Sequence, residues 1–358
     1  MRLLIVIILS AYVLSCAGRT SEEAKTHYPL SLIQREMPGS TVLPPDKLGL
    51  YADYMSEGPV IPGLFNGAIP QGMAYWGRED TLFISNYMLN DWPGALTLIS
   101  MDDQKQKKTL WLYNHDGLPH KDHLGGVAVV GDTLWIASGK YIYQLSLNLI
   151  SEADDNAMIT LNPPLFSEVK GSFAGTFEEY LIVGEFRNRR RQYQTHASHT
   201  YKISGKGFNY ALMAAFKADP DSGTLLSGRS GAGEVQPDFF FSIPDEVQGA
   251  AFIDDHIVLS QSYGRRNSSR LSIYRSPLEK EPDDMFSLSD GSTVPVWILD
   301  HTNLVKVSTL PPMSEGIADY DNSLAVLFES GSKKYRRTAY LPQDRIHFLD
   351  LEFLDILN

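Results

Sequence analysis

The chain has 358 residues, with 31 Lys or Arg against 43 Asp or Glu and a formal net charge of −12. That acidity excludes general nucleic-acid binding, which needs a broad basic face. With 43% hydrophobic residues there is material for a sizeable core, and 18 Tyr and 16 Phe favour strands over helices.

The first residues describe an address. Met1-Arg2 is a minimal positive start, residues 3–14 are almost unbroken apolar, and Val13-Leu14-Ser15-Cys16 sets a small residue before a cysteine. This is the pattern of a secretion signal. The apolar run is shorter than the roughly 20 residues that span a bilayer. Its four-residue ending resembles the lipobox of bacterial lipoproteins, which implies cleavage after Ser15 and a lipid on Cys16, the chain's one cysteine. On that reading 1–15 is a signal peptide, 16–58 a lipidated tether and N-terminal arm, and 59–358 the folded domain. Ala17 stands where Asp resembles an inner-membrane retention signal, so the expected address is the bacterial cell envelope, at the outer membrane or cell surface. The membrane is then a partner through the lipid.

From residue 60 onward a repeat dominates. Five units open with a glycine at or beside the start of a short apolar run, turn sharply, and close a second apolar run on a polar residue. They run from Gln71-Gly72 to Asn86, from Gly125-Gly126 to Ser138, from Ser172 to Glu185, from Gln248-Gly249 to Gln261 and from Glu315-Gly316 to Glu329. Short turns such as Gly131-Asp132, Asp254-Asp255 and Asp321-Asn322 between β-rich runs are hairpin signals. Third strands are expected at 96–100, 141–147, 200–203, 270–274 and 346–351. Fourth strands are expected at 109–113, 165–169, 239–243 and 304–309, leaving the last unit one short. The junction Ile69-Pro70 resembles Ile243-Pro244 and Leu310-Pro311, so a strand at 64–69 is expected to complete the last sheet.

These features predict an all-β fold, a β-propeller closed by an N-terminal strand. Five blades are expected, or six if the long third and fourth units conceal another. A solenoid or two sandwiches would also alternate strands, but units of about 40 to 50 residues with four strands favour the propeller.

Propeller geometry gathers the residues that open and close each hairpin at one mouth. The expected binding set is Gln71, Asn86, His123, Glu185, Gln248, Gln261, Glu315 and Glu329, with Ser138 and Ser172 beside them. Mouths of this kind are concave and collect polar groups from several blades. Basic residues cluster in three loops on the same side, giving a rim of Arg189, Arg190, Arg265, Arg266, Lys333, Lys334 and Arg336. Guanidinium and ammonium groups in that position suit an anionic ligand: an anionic glycan, a small molecule or a protein.

Glu315 and Glu329, from one blade, can share a proton or hold a metal, and Glu185 adds a third oxygen donor. The segment Asp219-Pro220-Asp221-Ser222-Gly223 mimics the start of a calcium loop, yet reads better as a tight turn. Zinc spacing is missing, as are a GxSxG elbow and a phosphate-cradling glycine loop.

The runs PQGMAYW with TLFISNY, VQGAAF with IVLSQSYG, and SEGIADY with LAVLFESG resemble the inner hairpins of the calcium-dependent lactonase superfamily. Its members include gluconolactonases, paraoxonases and strictosidine-synthase-like proteins, and the last two runs also resemble uncharacterised secreted bacterial propeller proteins. The resemblance implies a calcium ion held by Glu315, Asn86 and Glu185 and hydrolysis of a lactone or ester. By position Glu315 and Asn86 match that superfamily's pattern in type, Gln261, Ser138 and Glu185 stand where it has Asn or Asp, and six blades are usual in it. Two functions therefore stand side by side: an envelope-anchored binding module, and a metal-dependent hydrolase.

Overall fold

A computed structural model describes residues 32–37, 49–226 and 233–356. The signal segment, Cys16 and most of the tether lie outside the described residues. Among the described residues no helix is long and apolar enough to cross a membrane.

The chain forms a five-bladed β-propeller. Blade 1 consists of Ala68–Trp76, Thr81–Met88, Ala95–Ser100 and Gln106–Tyr113, each antiparallel to the next. Blade 4 consists of Val247–Ile253, His256–Gln261, Ser269–Arg275 and Leu304–Leu310 in the same order. In blade 5, Ser314–Tyr320, Ser323–Phe328 and Arg345–Asp350 are joined by Met55–Val60, which arrives from the N-terminal side. The hairpin turns use residues that tolerate left-handed backbone, with Asp321 at φ 43° and Asn322 at φ 58°.

The ring is closed by an N-terminal strand in the last blade, but the strand is Met55–Val60 and not 64–69. Residues 61–67 form the turn that carries the chain over to blade 1, and Ala68 and Ile69 already belong to that blade's inner strand. The Pro70 junction was a true marker of an inner strand's start; the strand in the outer slot ends ten residues before it.

Two blades depart from the expected pattern. In blade 2 the segment 141–147 does not turn back: Thr133–Ser146 is one long strand, paired first with Gly126–Val130 and then, past a register shift at Gly139, with Leu165–Gly171. Blade 2 therefore has three strands. In blade 3 the third strand is Ala211–Lys217. The expected 200–203 strand supplies Tyr201–Lys202, which pairs with Phe208–Asn209 in a separate two-stranded sheet. The length of unit 4 holds no sixth blade. Its insertion adds Asp284–Ser287 and Thr293–Ile298 to the outer edge of blade 3, through a parallel pairing of Phe240 with Val296.

The inner strands of successive blades touch in a closed circuit, and the last returns to the first. Glycine makes that circuit possible. A Cβ on Gly126 would lie 2.1 Å from the backbone nitrogen of Ala174, and one on Gly316 would lie 2.6 Å from that of Met73. No side chain fits there. The core is accordingly a set of wedges between blades, such as Met73, Leu82 and Ile84 of blade 1 against Ala325, Leu327 and Ile346 of blade 5. Each fully buried side chain of that size contributes about 1.5–3 kcal/mol.

Residues 32–37 strap the seam between the first and last blades. Leu32 is buried among Ala68, Met88, Ala95 and Trp111. Gln34 donates to the carbonyl of Val60 at 2.9 Å and accepts from the amide of Gln106 at 2.8 Å, so one side chain bonds both blades. The Met37 amide donates to Asp344 Oδ2 at 2.6 Å.

Candidate functional site at the propeller mouth

In blades 1, 4 and 5 the inner strand carries an extra residue at the same place. Pairing slips between Pro70 and Met73, between Val247 and Gly249, and between Ser314 and Ile317. These bulges coincide with Gln71-Gly72, Gln248-Gly249 and Glu315-Gly316. The glycine lets the neighbouring inner strand approach, and the bulge re-aims the preceding polar side chain.

The result is a polar floor. Gln248 Nε2 donates to Glu315 Oε1 at 3.2 Å, and Gln71 Nε2 donates to Glu329 Oε2 at 3.3 Å. Glu315 and Glu329 interact with each other, so two carboxyl groups share one place between two amides. Burial and the charge of Glu329 hold Glu315 well above the usual carboxylate range. Burial also raises Glu329, against the opposing pull of Lys334, Gln71 and Arg265. Glu315 is 3% exposed, whereas Glu329 is half-buried, so the mouth presents Glu329.

The other expected mouth residues divide. His123 joins the site: its ring lies 4.6 Å from that of Tyr87, and burial of the ring together with Lys334 and Lys170 holds it below its ordinary value. Ser138 donates to the His123 carbonyl at 2.8 Å and contacts His120 at 3.2 Å, so it supports that loop from below. Asn86 is fully buried and gives its amide to the Ile84 carbonyl and Thr97 Oγ1. Gln261 bridges the Asp245 carbonyl and the Ser272 hydroxyl within its own blade. Glu185 accepts from the amides of Leu212 and Lys170 and meets His199 Nδ1 at 2.8 Å.

Around the floor, cations lie over aromatic rings. Arg190 sits 5.3 Å from the centre of Tyr263, Arg265 5.0 Å from Tyr335, and Lys334 5.0 Å from Tyr87 and 4.8 Å from Tyr335. Lys334 also donates to the Tyr87 hydroxyl at 2.8 Å. Phe186 and Tyr193 extend the arc against Tyr263. Such stacking holds the cations extended at modest cost.

Arg187 on this face is paired with Asp245. Among the described residues, no carboxylate forms a salt bridge with Arg189, Arg190, Arg265, Arg266, Lys333 or Lys334. Arg336 leaves the rim: its guanidinium lies 4.0 Å over Phe65, beside the strap. Lys333 is exposed, and its backbone amide bonds to Leu64.

The aromatic arc was not anticipated from the sequence. A signal for it exists, since Tyr87, Phe186 and Tyr263 each follow within two residues of the polar residue that closes a hairpin.

Two of the three donors implied for calcium, Glu185 and Glu315, are engaged by other groups of the protein. Both oxygens of Glu185 are taken by His199 and backbone amides and Glu315 accepts from Gln248, while Asn86 gives its Nδ2 to its own blade and leaves its Oδ1 buried without a partner. Among the described residues no group of three His, Cys, Asp or Glu side chains is gathered as for a metal. The Asp219 segment is a tight turn, in which Asp219 accepts from the amide and hydroxyl of Ser222, both at 2.8 Å.

The far end of the channel differs in character. A cavity of about 210 Å³ opens there among Ala74, Ala128, Thr176, Ala250 and Ala318.

No family model and no curated protein matches this chain. Solved structures do. A GH43_1 enzyme from Xanthomonas citri is 10% identical, with 86% of this chain and 92% of that one covered and a TM-score of 0.43. A putative oxidoreductase (glucose dehydrogenase) from Thermus thermophilus is 10% identical over 82% of this chain and 99% of its own, with a TM-score of 0.42. The glutaminyl cyclase of Myxococcus xanthus is 10% identical over 82% and 93%, with a TM-score of 0.40. At these identities the likeness concerns the fold alone.

Proposed function

We propose that this chain is a binding protein whose propeller mouth takes an anionic ligand, of which a sugar acid is the best-fitting class. The observation that carries this reading is the rim: Arg190, Arg265 and Lys334 are laid over tyrosine rings around the mouth and form no salt bridge among the described residues. Cations free of salt bridges at a concave site favour an oxyanion, and the half-buried tyrosine rings beside them suit the flat side of a sugar. Gln71, Gln248 and Glu329 beneath them supply acceptors and donors for hydroxyl groups.

The hydrolase reading finds less support, because Glu185 and Glu315, two of the three donors expected around calcium, are engaged elsewhere. In the proposal the protein is held at the bacterial envelope by a lipid on Cys16, at the outer membrane or cell surface. A Cys16→Ala variant then leaves the membrane fraction.

The binding reading is tested by titration calorimetry with D-glucuronate and with oligogalacturonate, at two salt concentrations. Binding that weakens with salt, and is lost on changing Lys334 and Arg265 together to Glu, supports it. Absence of binding to either probe, or binding indifferent to the double change, removes it.

A further inference from the structure

Resting on that reading, we infer that the mouth takes a chain of sugar acids, laid along an arc in which cations alternate with tyrosine rings from blade 3 across blades 4 and 5 to blade 1. Arg190, on the loop that follows Tyr180–Gly184 of blade 3, lies 5.3 Å from the ring centre of Tyr263 on blade 4. Further along that blade's loop, Arg265 lies 5.0 Å from the ring of Tyr335 on blade 5 and donates to Thr338 Oγ1 at 3.1 Å. Lys334 lies 4.8 Å from that same ring and 5.0 Å from Tyr87 of blade 1, and the hydroxyls of Tyr87 and Tyr335 meet at 3.2 Å. Each blade is thereby tied to the next.

Backbone bonds hold these loops edge to edge. The Glu246 amide donates to the Arg187 carbonyl at 2.8 Å, joining blades 3 and 4, and the Tyr340 amide donates to the Arg265 carbonyl at 2.7 Å, joining blades 4 and 5. The cations are already laid out along the arc, so a ligand that follows it has few side chains left to order.

The placement of charge names the ligand class. A compact oxyanion is best held where cations converge on one point. Here Arg190 stands on a ring of its own across the seam between blades 3 and 4, away from the ring that Arg265 and Lys334 share, and none of the three forms a salt bridge among the described residues. One carboxylate meets the Arg265 and Lys334 end; a ligand with further carboxylates along its length meets Arg190 as well. A linear oligouronate carries one carboxylate on every sugar ring, which matches the alternation of cation and aromatic face. Each added contact then forms at the high effective concentration set by the first. A single-stranded nucleic acid also stacks on rings beside cations, but its charge at every nucleotide is repelled by a chain of net charge −12.

The test is titration calorimetry of the whole protein with D-galacturonate, with its linear trimer and with a thymidine oligonucleotide, all at one salt concentration. The trimer is expected to bind at least about tenfold more tightly than the monomer. Arg190→Glu, and separately Tyr263→Ala, are expected to remove that advantage while leaving monomer binding within about twofold, and Tyr263→Phe is expected to keep it. A trimer that falls short of the tenfold margin overturns the inference and leaves single-anion binding standing. So does trimer binding that Arg190→Glu leaves unmoved. An oligonucleotide that binds more tightly than the trimer overturns it in favour of a nucleic acid. If neither the monomer nor the trimer binds, the proposed function falls, and this inference with it.

Discussion

The two ends of the channel are built by the same five inner strands, and they share almost nothing else. At the mouth, bulges present Gln71, Gln248 and Glu315, loops add Lys334 and Arg265, and rings of Tyr87, Tyr263 and Tyr335 fill the spaces between. At the far end the strands run on in regular register, and small side chains such as Ala74, Ala128 and Ala318 line a narrow cavity. A strand in regular register alternates its side chains between the two sides of its sheet. An extra residue breaks that alternation, and only where it is broken do polar groups converge. Chemistry belongs to the bulged end and closure of the ring to the whole strand.

The largest expected effect comes from attacking the closure. Gly126→Val forces a Cβ against the Ala174 nitrogen and is expected to cost at least about 3 kcal/mol or abolish folding, read by thermal unfolding. Gly77→Ala, which meets only the Tyr75 ring edge at 3.6 Å, should unfold within a few degrees of the parent. Equal effects would mean that the inner ring is not held by backbone contact.

Acid and alkali should strain different parts of the molecule. His347, fully buried beside Tyr51 and Phe328, has its imidazole pushed down to about 3 by burial. The folded protein therefore binds fewer protons there than the unfolded chain. Stability is lost as pH falls below the ordinary value of 6.5 toward about 3, with a slope up to about 1.4 kcal/mol per pH unit. His347→Gln should flatten that slope. Glu315 acts with the opposite sign: its raised value gives stability that is full below 4.5 and lost as pH rises through the folded value. Glu315→Gln should remove an alkaline loss and leave the acid slope alone. Chemical denaturation across pH 4 to 9 separates the two.

Smaller effects separate rim from surroundings. Lys334→Glu with Arg265→Glu should weaken glucuronate binding by at least tenfold, about 1.4 kcal/mol. Arg336→Ala, whose guanidinium rests on Phe65 by the strap, should change it less than twofold. The least change is expected from Asp319→Ala at the far end, exposed and distant from every rim cation named above. A Tm unmoved by chelator, with no stoichiometric calcium in purified protein, would agree with the engaged donors; one calcium per chain would restore the hydrolase reading.

Much of the architecture was legible because the repeat is local. A glycine, an apolar run, a tight Asp or Asn turn and a second run are short-range patterns, and blades 1, 4 and 5 follow them strand by strand. Blade 2 was misread because nothing local in Gly139-Lys140-Tyr141 announces that the strand continues through its register shift. Blade 3 was misread because Tyr201–Lys202 is strand-like in sequence, yet its partner Phe208–Asn209 is a neighbour in the same loop. The closing strand was misplaced because Met55–Val60, MSEGPV, has little β pattern of its own and is recruited by the open edge of Arg345–Asp350.

The sequence by itself determined that the chain is a ring of hairpins, that five polar pairs mark one end of it, and that basic charge is concentrated in loops on that side. These follow from periodicity and turn chemistry, which act over a few residues. Tertiary structure decided which of those polar groups meet. Asn86 gives its amide to its own blade, Gln261 is held by Asp245 and Ser272, and Glu185 is taken by His199, Leu212 and Lys170, while Gln71, Gln248 and Glu315 reach Glu329 through bulges whose placement depends on how closely neighbouring inner strands pack. The physical reason is that a side chain's direction at the end of a strand is set by register and by contact across the ring, and neither is written in any one repeat.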